Sequence, residues 1–463
     1  MAEQDLVTCH CIISHPSKPK FLAIQHSDRW SPPLLRFPEE GSIVNMAPLI
    51  KDGIMNKYGL KTTVLRRVAT GPKYQCIEVE MHSASKSKKL NAVWVGSKEF
   101  AEFRSSKPGE FDPFELWLKQ KENGKIPDLR PPWERTGWFK SAVNWIHYQL
   151  DRLNIQTTGS VQQTRAFWTA SNILFVSTAE GKIFFKASYV RPPKEAVLTK
   201  ELAAKWPGLI PEPLVIDGNK NWMLMRDYKG PQYSQLKFAD YPGVARVLAN
   251  IQVESLGSMN QWEKLACPVQ GLDYLLAFVQ QFDRLAPILG AGGGIALTAD
   301  EIDHVKRLGE ELQPVFRALS EFSIPLTLVH PDIWYSNLYL KNGEISIADW
   351  SGVVISHPFF SILKLLRFRH LWGEGQPVLP SGQEQDNELK EAILEAYLEP
   401  FTRFETMDRL HEAMILTRKL RSSWRLLKWH QDILYDEPES PHYHKRARLM
   451  QRIAREMIGP GID

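Results

Sequence analysis

Apolar residues recur at short range through the first hundred or so positions, in runs bounded by turn-forming residues. Residues 6–13, 21–24, 64–68, 76–81 and 90–95 read as strands, and 48–58 as a short helix closed by Gly59. A further helix is expected over 111–120. The turn-rich stretch Asn123-Gly124-Lys125-Ile126-Pro127-Asp128-Leu129-Arg130-Pro131-Pro132 then breaks the pattern and marks the best domain boundary. Beyond it Trp138, Val143, Trp145, Ile146, Leu150 and Leu153 fall close to helical spacing, so an amphipathic helix opens the next module. Residues 167–176 and 181–187 read as a hairpin turning at Thr178-Ala179-Glu180-Gly181, and Trp222-Met223-Leu224-Met225-Arg226-Asp227-Tyr228 as a later strand. Gly290-Ala291-Gly292-Gly293-Gly294 looks like a phosphate cradle, but Thr298-Ala299-Asp300-Glu301 caps the next helix separately, so the glycines read as a loop.

Length adds that 463 residues exceed one ordinary core, so two or three domains are expected. With 43% hydrophobic and 11% aromatic residues the chain has ample material for packing, which argues against disorder. A formal charge of +4 gives no electrostatic reason to expect nucleic acid, and leaves a small molecule as the default partner. The four cysteines Cys9, Cys11, Cys76 and Cys267 are too scattered for a disulfide framework and fit a reducing cytosol. On a strand Cys9 and Cys11 share one face and His10 takes the other, so Cys9-His10-Cys11 reads as half-buried strand and not as a metal site. No basic leader precedes an apolar run, and no stretch reaches the roughly 18 apolar residues of a membrane span, so a soluble cytoplasmic protein is expected.

The candidate chemistry concentrates in Val329-His330-Pro331-Asp332-Ile333-Trp334-Tyr335-Ser336-Asn337, followed by Ile345-Ser346-Ile347-Ala348-Asp349-Trp350. Phosphoryl transfer needs a base to take the proton of an attacking hydroxyl, and oxygen ligands for the Mg2+ that neutralises nucleotide phosphates. Asp332 suits the base, and Asn337 and Asp349 suit the metal. The pattern HxDxxxxN, followed by an apolar strand ending in Asp, resembles the catalytic and metal motifs of the aminoglycoside phosphotransferase and choline kinase-like superfamily. The resemblance spans residues 137–372 and implies an α+β, bilobal protein kinase-like fold that uses ATP or GTP with Mg2+.

Further roles follow from that resemblance. Lys186, in Ile183-Phe184-Phe185-Lys186-Ala187, would hold nucleotide phosphates, since an ammonium on an apolar strand needs an anionic partner. Glu195 would pair with it, because it lies on the stripe of Leu198, Leu202 and Trp206 while Glu201 is rotated away. The turn Trp168-Thr169-Ala170-Ser171-Asn172 would cover the phosphates, Ser171 and Asn172 resembling a serine-asparagine pair found there. Met225, Arg226, Asp227 and Tyr228 would meet the purine edge. His330 is expected to brace the catalytic loop. Pro331 stands where relatives usually carry Gly, and Ser361, in His357-Pro358-Phe359-Phe360-Ser361, where they often carry a structural Asp. The acceptor site would involve Trp334 and Tyr335 beside Asp332, and Arg421, Trp424 and Arg425 in a stretch that also holds Arg418, Lys419 and Lys428 without an intervening carboxylate. A polycationic aminoglycoside wants an acidic wall, so a neutral or anionic hydroxyl acceptor is expected.

The first module, with a helix following Phe37-Pro38-Glu39-Glu40-Gly41, is similar to a Nudix domain in frame. The Nudix catalytic helix REUxEExGU, anchored on Gly59-Leu60, places Asp52, Gly53, Asn56 and Lys57 where an arginine and three glutamates belong. A lysine and an asparagine cannot replace carboxylates around Mg2+, so hydrolysis is not expected. The expected division is a Nudix-like domain over 1–122, a linker over 123–136, a kinase-like N-lobe over 137–229 and a helical C-lobe over 230–463. The accessory domain would shape the acceptor entrance or mediate a homodimer. The function expected is transfer of the gamma-phosphate of ATP or GTP to a small-molecule hydroxyl. A nucleotide-sensing regulatory protein and a nucleotidyl transferase are the alternatives.

Overall fold

The computed structural model describes residues 6–26, 29–38, 46–71, 73–84, 90–103, 112–164, 170–227, 233–234, 236–292, 295–367, 383–438 and 440–459. It divides into two compact units, one formed by Met1–Tyr189 and Tyr435–Lys445, the other by Val190–Leu434 and Arg446–Asp463. The architecture is mixed α and β.

The first unit opens with β1 (Leu6–Ser14), β2 (Phe21–His26), β3 (Arg29–Ser31), β4 (Leu34–Pro38), α1 (Met46–Tyr58), β5 (Leu60–Gly71), β6 (Tyr74–Ala84), β7 (Ala92–Val95), α2 (Ser97–Phe103) and α3 (Asp112–Glu122). The seven strands form one mixed sheet, in which β1 runs parallel to β6 and antiparallel to β2 and β4. Alternation along β1 decides what covers each face. Cys9, Cys11 and Ile13 pack with Ala47, Ile50, Ile54 and Tyr58 of α1. Ile12 points the other way, into a core with Phe21, Ala23, Cys76, Phe100, Phe114, Trp117 and Leu118. His10 shares that second face, with its ring 5.4 Å from Tyr74 and 6.2 Å from Phe114. Gly59 ends α1 in the left-handed region, φ 69°, its N–H donating to Met55 O at 2.8 Å.

β5 and β6 reach 12 and 11 residues, well beyond the apolar runs that predict them. Within the run of β5 a charge is buried by pairing at Arg66. Arg66 Nε donates to Glu78 Oε2 at 2.7 Å, and Lys121 Nζ lies 2.8 Å from Glu78 Oε1. The two cations hold Glu78 down at about 2 against its burial. β3 and β4 carry no periodic signal in the sequence and are held by their neighbours, β2 and β1.

The segment expected as a linker is packed inside this unit. Arg130 is buried and grips Glu437 with Nε and Nη2, at 3.1 and 2.7 Å, and Trp133 and Glu134 are buried beside it in sequence. Next come α4 (Trp138–Arg152), β8 (Gln162–Gln163), β9 (Ser171–Thr178) and β10 (Gly181–Ser188). β8, β9 and β10 pair antiparallel in that order, with Lys186 opposite Ile173 and Asn172 opposite Ala187. Trp138 and Trp145 of α4 pack their rings 6.2 and 5.6 Å from Phe185, on the core face of β10. Gln163 binds β5 by accepting from Val64 N–H and donating to Val64 O, at 3.1 and 2.8 Å. The strands on either side of the expected linker are thereby tied together.

The second unit contains α5 (Glu195–Lys205), β11 (Val215–Asp217), β12 (Trp222–Arg226), β13 (Tyr233–Ser234) and α6 (Tyr241–Ser255). They are followed by the helices α7 (Met259–Lys264), α8 (Leu272–Val279), α9 (Ala286–Leu289), α10 (Ala299–Glu311) and α11 (Gln313–Ser320). Thr298 caps α10 as expected, its hydroxyl accepting from Glu301 N–H at 3.2 Å while the Glu301 carboxylate accepts from Thr298 N–H at 2.7 Å. Gly293 and Gly294 lie outside the described residues. The site follows in β14 (Thr327–Val329), β15 (Leu338–Lys341), β16 (Glu344–Ile347), β17 (Val354–Ser356) and α12 (Ile362–Leu365). α13 (Gln383–Leu398), α14 (Met407–Lys419) and α15 (Arg421–Ile433) follow, and α16 (Pro441–Ile458) closes the chain. Among the described residues no helix is long and apolar enough to cross a membrane.

Candidate active site

Two short antiparallel strand pairs position the site. β14 pairs with β17, Val329 opposite Val354, and delivers His330 fully buried at the strand end. Asp332 N–H donates to His330 Nδ1 at 3.1 Å, so Nε2 carries the proton and donates to Ala348 O, also at 3.1 Å. One imidazole thus ties the backbone of Asp332 to the residue preceding Asp349. Burial pulls its pKa below the ordinary 6.5, which preserves the neutral tautomer that both bonds need; Asp332, Asp349 and Lys364 are all close enough to act on it electrostatically. Its ring stands edge-on to Trp350, 4.8 Å between centroids.

The second pair is the hairpin of β15 and β16. Asn342 and Gly343 turn it with φ of 52° and 84°, the left-handed conformations that a two-residue turn of this hand requires. That turn fixes the register, Leu338 opposite Ile347, and so sets Asn337 opposite Ala348, whose N–H donates to Asn337 O at 2.8 Å. Asn337 Nδ2 donates to Asp332 O at 3.1 Å, and its Oδ1 receives Ser336 Oγ at 3.4 Å. Asp349 adopts φ 61°, which aspartate tolerates better than most side chains, and its Oδ1 accepts from Ser351 Oγ at 2.6 Å. The amide oxygen and the carboxylate, placed at adjoining strand ends, are hard oxygen donors of the type Mg2+ takes.

A residue that the sequence pattern did not single out completes the loop. Lys364 Nζ forms an ion pair with Asp332 Oδ1 and stands 4.4 Å from the centroid of the Trp334 ring. α12, which carries it, is anchored through the preceding turn Pro358–Phe360. Buried Gln252 donates to Pro358 O and Ser361 Oγ, each at 3.2 Å, and Tyr397 OH donates to Pro358 O at 2.7 Å. Ser361 therefore supports this turn with a neutral hydroxyl. The available signal for Lys364 was the one used for Lys186, a lone cation in the apolar run Phe359-Phe360-Ser361-Ile362-Leu363-Lys364-Leu365-Leu366.

The remaining candidates fall in several places. Lys186 lies on the half-buried face of β10, opposite to the face of Phe185 and Ala187. Ser171 begins β9, and Asn172 is 4% exposed with its Oδ1 lacking a hydrogen-bond partner among the described residues. Glu195 begins α5 and is buried, whereas Glu201 accepts from Gln261 at 3.0 Å. Met225 packs with Ala196 and Met223, Arg226 is exposed at the end of β12, and Asp227 follows it. Tyr228 and the side chain of Tyr335 lie outside the described residues.

On α15, Trp424 is 4% exposed and stacks on Phe360 at 4.5 Å, so its ring is a core element. The basic stretch is also less bare than its sequence suggests, because Arg425 Nη1 meets Glu456 of α16 at 2.5 Å. Arg421 opens the helix, half-buried. Lys428 Nζ donates to Gly352 O at 3.3 Å, and burial lowers it to about 8.

No family model matches the sequence, and no curated protein does. Among solved structures, the chain is similar to the choline kinase LicA from Streptococcus pneumoniae, with 13% identity over 68% of this chain and 98% of that one, TM-score 0.42. It is similar to a choline kinase from Cryptosporidium parvum, with 12% identity over 65% of this chain and 88% of that one, TM-score 0.45. It is similar to aminoglycoside 2'-phosphotransferase-IIIa, solved as a GDP complex, with 12% identity over 69% of this chain and 99% of that one, TM-score 0.44. At these values the likeness assigns no activity to this chain.

Proposed function

We propose that the protein is a small-molecule kinase that moves the gamma-phosphate of ATP or GTP to a hydroxyl. The observation that carries the reading is the His330 bridge, which ties the Asp332 loop to the hairpin end bearing Asn337 and Asp349. In the reaction the acceptor oxygen bonds to the gamma-phosphorus, the bond to the bridging oxygen breaks, and the nucleoside diphosphate leaves with that electron pair. Asp332 takes the hydroxyl proton, a role worth about 10²–10⁴ in rate for a general base. Asn337 and Asp349 would hold Mg2+, which supplies charge neutralisation at the phosphates when bound. His330 acts by position, because each of its nitrogens is already engaged.

For the mixed sheet of the first unit we propose a non-hydrolytic, Nudix-like accessory role. Besides lacking the carboxylates, α1 packs closely at Gly53, where a Cβ would come 3.1 Å from Leu35 Cδ1, so a glutamate at that position does not fit without repacking. Lys57 is also engaged, donating to Leu34 O at 2.9 Å.

Mass spectrometry of a hydroxyl-metabolite panel incubated with ATP, GTP and Mg2+ tests the proposal. A gain of phosphate on an acceptor supports it. A gain of nucleotide points to nucleotidyl transfer, and nucleotide binding without any product to a regulatory protein.

A further inference from the structure

We propose that Lys364 is the specificity residue for the acceptor, and that the acceptor carries an anionic group, a carboxylate or phosphate, beside the hydroxyl that is phosphorylated. This inference rests on the kinase reading above and adds the substrate class to it.

Three observations carry it. Lys364 Nζ is ion-paired to the carboxylate of Asp332, so a cation stands on the base itself. The pair is open to water, with the side chains 37% and 50% exposed, a setting in which solvent screens an ion pair and leaves it weak. Exchanging or sharing Asp332 with another carboxylate is therefore inexpensive, and an ammonium has three donors with which to do it. Finally, the ammonium is held in place, 4.4 Å from the Trp334 ring and on a helix anchored by Gln252 and Tyr397.

The chemistry gives this arrangement a purpose. When Asp332 takes the hydroxyl proton it becomes neutral, and Lys364 loses its counter-charge as the phosphoryl group moves. An acceptor anion on Lys364 supplies a replacement charge and sets its hydroxyl beside Asp332. Phosphate and carboxylate acceptors share this requirement, and a cationic acceptor does not meet it.

The test uses the full chain and matched probes: glycerate with methyl glycerate, gluconate with glucitol, and glucose 6-phosphate with glucose. We expect kcat/KM for the anionic member of at least one pair to exceed that of its neutral partner by tenfold or more. Lys364→Met should remove this preference by lowering kcat/KM for the anionic member tenfold or more beyond any change for its neutral partner, and Lys364→Arg should restore part of it. The carboxylate and phosphate pairs distinguish the two sources of negative charge. Equal use of both members, preference for the neutral ones, or a Lys364→Met effect that lowers kcat/KM equally for both overturns the inference. If no probe is phosphorylated, calorimetric binding of the same pairs decides separately from the kinase reading. Binding of an anionic member that is lost in Lys364→Met supports the inference, and binding that is absent or indifferent to charge refutes it.

Discussion

His330 has a structural task that can be separated from chemistry. Replacing it with alanine leaves Asp332 N–H, which is partly buried, and Ala348 O, which is buried, without their partner, on the order of 1–3 kcal/mol for the buried carbonyl. We expect His330→Ala to lower the thermal midpoint of the full chain as well as its activity, whereas Asp332→Asn should abolish transfer and leave the midpoint near that of the wild type. A normal midpoint for His330→Ala contradicts the bracing role. Asp349 makes a related case, since it combines a proposed ligand with a left-handed backbone, φ 61°. Asp349→Asn keeps a side chain that tolerates that conformation, so its loss of Mg2+-dependent turnover should come without unfolding. Asp349→Ala should add a stability loss of about 1 kcal/mol from the backbone alone. Equal midpoints for the two variants contradict this account.

The element that matters most is the β15–β16 hairpin, because its turn decides which residues stand at its ends. Gly343 has φ 84° and nothing within 4 Å of where a Cβ would stand, so Gly343→Ala introduces backbone strain without a clash. We expect a loss of about 1–2 kcal/mol, and a larger fall in activity than in folded fraction as Asn337 shifts against Ala348. Unchanged turnover with reduced stability would show that the register is not what organises the site. The HxDxxxxN loop and the apolar strand ending in Asp349 were legible in the sequence because their spacing is local; the hairpin that Asn342 and Gly343 turn emerges only in the structure. Lys364 was not legible, because its meeting with Asp332 depends on a turn anchored by Gln252 and Tyr397, which are remote in sequence. The connector read as a linker for the same reason. Its composition is that of a turn, but Arg130 is fixed by Glu437, 307 positions away. The apolar pattern also understated β5 and β6, whose polar ends, Lys61 opposite Ser83 and Thr70 opposite Gln75, are held by pairing with each other.

On the scale of the molecule, the two units should respond to pH with opposite signs. In the first, Glu134 is raised to about 8 by burial, since Arg66 is engaged with Glu78 and Arg130 with Glu437. Its ordinary value is 4.5, so between 4.5 and about 8 the folded form holds a proton that the unfolded form has released, and stability is lost as pH rises through that window. Glu134→Gln should therefore raise the midpoint of this unit progressively from pH 5 towards pH 8. In the second unit, burial lowers His357 to about 3 from 6.5, and neither ring nitrogen has a hydrogen-bond partner among the described residues. Here the unfolded form binds the proton first, so stability is present above 6.5 and is lost as pH falls towards 3. His357→Phe should flatten that acid limb. Midpoints of both variants measured across this range check the two signs, and a difference from wild type that does not vary with pH contradicts the assignment. The central claim, that the loop of His330 to Asn337 with Asp349 is a phosphoryl-transfer site, is tested most directly by following labelled gamma-phosphate from ATP and GTP into a hydroxyl panel, with Asp332→Asn compared at equal folded fraction. The account predicts a phosphorylated acceptor with the wild type and at least a hundredfold slower transfer with the variant, the lower range of a general base. Acceptor phosphorylation that proceeds equally in both, or label that reaches no acceptor at all, would contradict it.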